Sequence, residues 1–246
     1  MKTISILNNK GGVAKTTTAI HLGAFLAQQG KKTLIIDFDP QASLSLLTRA
    51  DTMDYDVVDF LDFKPNPRFR QVQNNLWVLK GTSQILEYKD KITKIDLRQL
   101  LAIFEGQLDY CIIDCGPGII SGKNNINEFV LTYTDYLITP IRADYASYQG
   151  VKILMDSIGK VKKKNPKLEF LGLLFSDINP REILFKEMHE KMKQTAEGFI
   201  FSTIIRKTVE IQKAEFVGKT IFQYNPNCTG AWDFKKFAEE VLEKIK

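Results

Sequence analysis

The feature that most limits the fold is a set of short apolar runs at 4–7, 33–36, 110–113, 136–138, 170–175 and 200–205, most without alternation of apolar and polar residues. Strands that face solvent on one side alternate, whereas strands covered on both faces do not. Between several of these runs lie segments of helical period. One spans 16–28; another spans 145–164, with Val151, Leu154, Ile158 and Val161 on one face. Strand, helix, strand in repetition predicts an α/β chain with a mostly parallel sheet flanked by helices on both faces. No linker, repeat or low-complexity stretch interrupts the pattern, so 1–246 reads as a single domain.

The helical stripe of Phe234, Phe237, Ala238, Val241, Leu242 and Ile245 predicts a last helix over 234–245 docked on the core. A membrane-surface helix is the sharper alternative. Glu239, Glu240 and Glu243 on its polar face speak against it, because interfacial helices are usually rich in Lys and Arg. Trp77 is expected in the core, and His21 is expected to be packed or at the surface rather than catalytic. With 44% hydrophobic residues, a chain of 246 has enough apolar material for a sizeable core. Its net charge of +5 permits contact with phosphate without demanding it. Three cysteines, Cys111, Cys115 and Cys228, argue against a disulfide framework and fit a reducing cytosol. The opening residues lack the pattern of a signal peptide, and no stretch reaches the roughly 20 apolar residues of a spanning helix.

Directly after the first apolar run stands Asn9-Lys10-Gly11-Gly12-Val13-Ala14-Lys15-Thr16-Thr17. A phosphate needs close backbone approach, several inward N–H donors and the positive end of a helix dipole. Gly11 and Gly12 allow the approach, Lys15 neutralises β- and γ-phosphate oxygens, and the Thr16 hydroxyl is a Mg²⁺ ligand. The common spacing G-x-x-x-x-G-K-[ST] fails at both glycines, where Asn9 and Ala14 stand. The string 10–17 resembles instead the deviant Walker A motif, usually KGGVGKTT, of the ParA/MinD family, and the chain looks closest to its compact, Soj-like partition ATPases. Ala14 departs from the motif, and alanine resists positive φ.

The resemblance implies a P-loop NTPase fold with ATP and Mg²⁺ bound. It makes Lys10, Gly11, Gly12, Val13, Ala14, Lys15, Thr16 and Thr17 the nucleotide-binding residues. Lys10 would reach across an ATP-sandwich homodimer to the partner's phosphates, a cation supplied in trans where charge develops during phosphoryl transfer. Asp37-Phe38-Asp39-Pro40-Gln41 resembles the family's DxDPQ switch, which implies that Asp39 positions the attacking water and that Asp37 supports the Mg²⁺ shell or holds a lysine. With Lys10 and Lys15, Asp39 completes the catalytic set. Tyr110-Cys111-Ile112-Ile113-Asp114 has the Walker B pattern, which gives Asp114 to Mg²⁺ beside Thr16 and Asp37. Gly116 stands where the family has the first proline of DCPP, which predicts a more mobile loop, and Cys115 reads as packing. Arg206 replaces the proline of the family's IPR turn on the adenine side.

Three functions compete: partition of DNA or another cargo, MinD-like membrane positioning, and phosphate transfer to a small metabolite. The third leaves Lys10 without a role and has no substrate-binding insertion. The second expects a basic apolar tail past the last helix, where this sequence ends in Glu243-Lys244-Ile245-Lys246. The first fits best, with slow, partner-stimulated hydrolysis of ATP. The sequence starts at its first strand with no helix-turn-helix ahead of it, so the DNA contact expected is non-specific. The candidate residues are Arg181, Lys207, Lys213 and Lys219, then Lys235 and Lys236, while Glu210 stands where some relatives carry a second arginine. Lys160, Lys162, Lys163 and Lys164 before Pro166 read as a solvated helix end. The resemblance also implies a ParB-type centromere-binding partner, no membrane, and a cytoplasmic, nucleoid-associated location. ParA-like positioning of a protein cargo stays open.

Overall fold

The computed structural model describes residues 1–118, 120, 122, 124–196 and 198–245. Among them, the strands are β1 (Lys2–Ile6), β2 (Thr33–Phe38), β3 (Arg70–Gln73), β4 (Leu76–Leu79), β5 (Tyr110–Cys115), β6 (Tyr136–Ile141), β7 (Glu169–Ile178) and β8 (Ile205–Arg206). They form one sheet in the order β3-β4-β2-β5-β1-β6-β7-β8, parallel throughout except for the β3–β4 pair at one edge. The helices are α1 (Lys15–Gln28), α2 (Ser43–Leu47), α3 (Val57–Leu61), α4 (Leu97–Ala102), α5 (Ile126–Thr132), α6 (Tyr145–Lys164), α7 (Ile183–Thr195), α8 (Val209–Phe216), α9 (Ile221–Tyr224) and α10 (Thr229–Lys244).

The central strands bury both faces, which is why their sequences do not alternate. On β2, Leu34 and Ile36 enter one core while Ile35 enters the other; on β5, Cys111 and Ile113 part from Ile112 in the same way. The first core takes its helical residues from α3, α4, α5, α6 and α7. The second takes them mainly from α1, α8, α9 and α10. The α10 stripe is docked as expected, with Phe234, Phe237, Ala238 and Val241 fully buried. It starts earlier than its apolar pattern, because the Cys228 Sγ accepts from the Ala231 amide and caps the first turn. α1 ends in a Schellman turn: Gly30 is left-handed at φ 77, its amide donates to Ala27 and the Lys31 amide donates to Leu26.

Two expectations need correction. The run 200–205 is not a strand along its length. Ile200 makes an isolated bridge to Leu173, and the ladder to β7 begins only at Ile205. Left-handed Asp177 (φ 59) shifts the register of β7 there, so the partner chain pairs in two separate short contacts. Trp77 is half-buried against the core rather than inside it, since β4 lies next to the edge strand. The pair β3–β4 itself escapes the periodicity, being short and polar on β3.

β1 lies between β5 and β6, although the chain runs from β1 to β2 and from β5 to β6. This reversal of strand order is where ligands settle in open α/β sheets, beyond the carboxyl ends of the strands. The loops after β1, β2 and β5 therefore meet at one place. Among the described residues no helix is long and apolar enough to cross a membrane.

Candidate functional site

The loop from β1 to α1 curls because Gly12 (φ 71) and Ala14 (φ 65) are both left-handed. Left-handed residues at alternate positions turn successive N–H groups toward one concavity, the backbone form of an anion nest. A Cβ built on Gly11 or Gly12 meets nothing, so the space in front of the loop is open. Asn8 holds the strand end, its Nδ2 donating to Pro140 O at 2.6 Å while its Oδ1 accepts from the Lys10 amide at 2.9 Å. Ala14 N-caps α1 in this conformation. An alanine there costs about 1 kcal/mol against glycine. Ala14→Gly is accordingly expected to raise the melting temperature by about 2–4 °C, and Ala14→Val to lower it. Thermal melts without nucleotide check this; equal temperatures for all three proteins would show that the left-handed turn is not held in solution.

Lys15 opens α1 and is buried, with its Nζ donating to Lys10 O at 3.2 Å. Burial pushes its ammonium below the ordinary lysine range, against the opposing pull of Asp114 and Asp39. The Thr16 hydroxyl donates to Asp114 Oδ2 at 2.7 Å. Asp114 and Asp37 stand side by side on neighbouring strands, both with 0% exposure. Burial, and then the Asp37 charge, push Asp114 well above the usual carboxylate range. The Asp114 Oδ1 is buried and has no hydrogen-bond partner among the described residues. A fully buried carboxylate with a spare oxygen beside a hydroxyl offers oxygen donors of the kind that fit a hard divalent cation.

Asp37 plays a different part from the lysine partner allowed for it. Its carboxylate accepts from the Ser45 amide and hydroxyl and from the Asp39 amide, at 3.0, 2.7 and 3.1 Å. Burial pushes it up to about 6. Ser45 Oγ in turn accepts from the Gly81 amide at 2.8 Å, and a Cβ on Gly81 would lie 2.6 Å from the Asp37 carboxyl carbon. Asp37 thus shapes the switch loop, and Ser45 and Gly81 are supports that only the structure brings to it. Asp39 is nearly buried, and its Oδ1 accepts from the Gln41 amide at 2.9 Å.

Past Asp114 the chain is tied down in its described part. The Gly118 amide donates to Asn9 O at 3.1 Å, and the Asn127 side chain donates to Gly116 O and Gly118 O at 3.2 and 3.4 Å. These bonds brace the stretch for which mobility is expected from Gly116. A Cβ at Gly116 would come 3.0 Å from Pro40, so glycine lets the two switch loops touch. Cys115 is fully buried, as packing requires, and burial pushes its thiol up.

Lys10 points away from its own loop concavity. Its Nζ pairs with Asp144 Oδ2 at 2.7 Å, with both side chains about one-third exposed at 39% and 33%. Asp144 also N-caps α6 through the Ser147 amide at 2.8 Å. The phosphate loop, Asp39 and the segment from Ile205 to Phe234 line one cleft of about 450 Å³, within the usual size of a ligand site. Its far wall holds Ile205, Ile211 and Phe234, with Arg206 forked onto Asp233 at 2.6 to 3.2 Å. An Arg142–Asp177 ion pair closes the rim. Arg206 therefore fixes the turn that loses its proline.

The basic candidates are not in this cleft. Arg181, Lys207, Lys213, Lys219, Lys235 and Lys236 are all exposed. Lys207 follows β8 and its amide donates to Ile178 O at 2.9 Å, which places it at the same sheet end as Arg181. Lys213 is paired with Glu210 at 2.8 Å, so part of its charge is offset. Lys160, Lys162, Lys163 and Lys164 are exposed at the end of α6, as read from the sequence. His21 is packed, as expected, though it bridges two elements.

A family model described as an AAA domain matches residues 1–170. The chain is 32% identical over 98% of its length to the sporulation initiation inhibitor protein Soj of Bacillus subtilis, covering 98% of that protein. It is 30% identical over 99% of its length to the chromosome-partitioning ATPase Soj of Treponema pallidum, again covering 98% of it. Among solved structures, the septum site-determining protein MinD of Pyrococcus horikoshii, complexed with Mg-ADP, superposes with a TM-score of 0.77. That match covers 98% of this chain and 95% of the other at 24% identity, a likeness of fold.

Proposed function

We propose that this chain, which belongs to the ParA/MinD family of P-loop ATPases within the matched AAA-domain family, closes as a homodimer around ATP and Mg²⁺ and partitions DNA. The observation that carries the reading is the division of labour between two lysines in one loop. Lys15 is buried against Asp114 and Asp39, where its own phosphates bind. Lys10 is held on a partly exposed ion pair with Asp144 rather than in the lining of the cleft, a pair that costs about 1 kcal/mol to exchange. A cation so placed serves a partner's phosphates better than its own. Thr16 and Asp114 hold the magnesium, and Asp39 orients the attacking water. When bound, the metal neutralises charge on the transferring phosphoryl group.

In this reading the ATP dimer presents Arg181, Lys207, Lys213 and Lys219 to DNA without regard to sequence, and a ParB-type partner triggers hydrolysis. Cycling between the dimer and the free monomer on the nucleoid moves the cargo. A gel-shift series with ATP, ADP and rising salt tests this. Binding is expected with ATP alone, weakening with a log–log slope of about −0.9 per phosphate neutralised. Binding to anionic liposomes without binding to DNA would overturn it in favour of membrane positioning.

A further inference from the structure

We propose that Glu215 binds the ribose hydroxyls of the nucleotide and makes this site selective for ribonucleotides; the inference rests on the ATPase reading above. Glu215 lies on α8, and its Oε1 accepts from the Thr17 hydroxyl at 2.7 Å across the cleft. Thr17 sits in the first turn of α1, directly after the phosphate lysine and Thr16. The apolar side chains Ile205, Ile211 and Phe234 line the same cleft, with Ile211 one turn before Glu215 on α8. The carboxylate thus shares one cleft with the loop that takes phosphates and with apolar side chains that suit a base. The sugar joins those two parts of the nucleotide and lies in that same cleft.

The chemistry of the group narrows its ligand further. An ionised carboxylate only accepts hydrogen bonds. It repels a phosphate, so it is no ligand for the triphosphate, but two neighbouring sugar hydroxyls match its two oxygens. Among the described residues no ion pair reaches Glu215 and its side chain's one hydrogen bond is from Thr17, while burial pushes its carboxyl above the ordinary carboxylate range. A half-buried carboxylate with spare acceptor capacity gains by meeting further donors.

A second observation shows that the position is held rather than incidental. His21 Nδ1 lies 2.7 Å from Thr17 O, and its Nε2 accepts from the Ile221 amide at 3.0 Å. The Ile221 bond requires an unprotonated Nε2 and hence the neutral ring, with Nδ1–H donating to Thr17, and burial pushes His21 down to about 4. The ring also stacks on Phe234, with centroids 4.5 Å apart. α1 and the α8–α9 segment are thus joined at two points, Thr17 to Glu215 and, one turn on, His21 to Ile221, which holds Glu215 beside Thr17.

Titration calorimetry with ATP, 2′,3′-dideoxy-ATP and inorganic tripolyphosphate tests the proposal on the wild type, Glu215→Ala and Glu215→Gln. The wild type is expected to prefer ATP over the dideoxy analogue by at least about tenfold, the size of a hydrogen bond to a charged group. Glu215→Ala should bind both at the weaker level with tripolyphosphate affinity unchanged, and Glu215→Gln should fall between. Equal wild-type affinity for the two nucleotides overturns the proposal. So does a Glu215→Ala loss as large for tripolyphosphate as for ATP, which would make Glu215 a brace for Thr17 alone. Wild-type protein that binds none of the three ligands would instead overturn the ATPase reading on which this one stands.

Discussion

Lys15→Ala is expected to abolish nucleotide binding, and Lys10→Ala to leave it intact in the monomer while removing ATP-dependent dimerisation. The two lysines are five residues apart in one loop, yet their surroundings differ. Lys15 is 7% exposed, and burial lowers its ammonium below the ordinary lysine range against the opposing pull of Asp114 and Asp39. Truncating one partner of a buried charge pair costs about 2–5 kcal/mol, so the ATP affinity of Lys15→Ala should fall by at least about 30-fold. Lys10 gives up only a partly exposed pair with Asp144. Asp144 keeps its bond to the Ser147 amide, so α6 stays capped in the Lys10 variant. Calorimetry for binding and light scattering for dimerisation separate the outcomes. A Lys10→Ala protein that dimerises normally with ATP would remove the trans role, and with it the core of the proposed cycle.

The reach of the sequence follows from how local each signal is. The loop of residues 9–17 is placed between β1 and α1 by the sequence because its signal lies in nine adjacent residues. Asp39 and Asp114 are placed at strand ends for the same reason, each standing at the end of an apolar run. The strand β8 is misjudged because its length depends on a register shift at Asp177, a backbone event in another strand. Asp37 shows a second limit. The resemblance implies that it supports the Mg²⁺ shell or holds a lysine, while its hydrogen bonds, to Ser45 eight residues on and to its own turn, are visible only in the fold. Glu215 and His21 are harder still, since their partners lie about 200 residues away: Glu215 to Thr17 spans 198 and His21 to Ile221 spans 200. The departure at Ala14 is visible in the sequence, but that alanine accepts φ 65 rather than reshaping the loop is not.

Asp39→Ala is expected to bind ATP at least as tightly as the wild type, to dimerise, and to remain dimeric on DNA because turnover is lost. Asp39 is nearly buried at the end of β2 and faces the cleft that holds Lys15. Among the described residues its side chain accepts only from the Gln41 amide and its backbone bonds are to Asp37 and Ala42, so its removal leaves the loop below it standing. An anion in contact with the γ-phosphate would repel it, so the carboxylate adds nothing to affinity and is suited to orient water instead. Losing a positioned acid–base group lowers rates by about 10²–10⁴, and the ATPase rate should fall by that order. Asp114→Ala should behave in the opposite way. It removes the acceptor of the Thr16 hydroxyl and the buried spare oxygen that suits magnesium, so binding itself weakens and dimers do not form. ATPase rate, ATP affinity and dimer lifetime measured for both variants distinguish the two carboxylates. A normal ATPase rate in Asp39→Ala would strike this residue from the catalytic set, and unaltered ATP affinity in Asp114→Ala would take the metal away from β5.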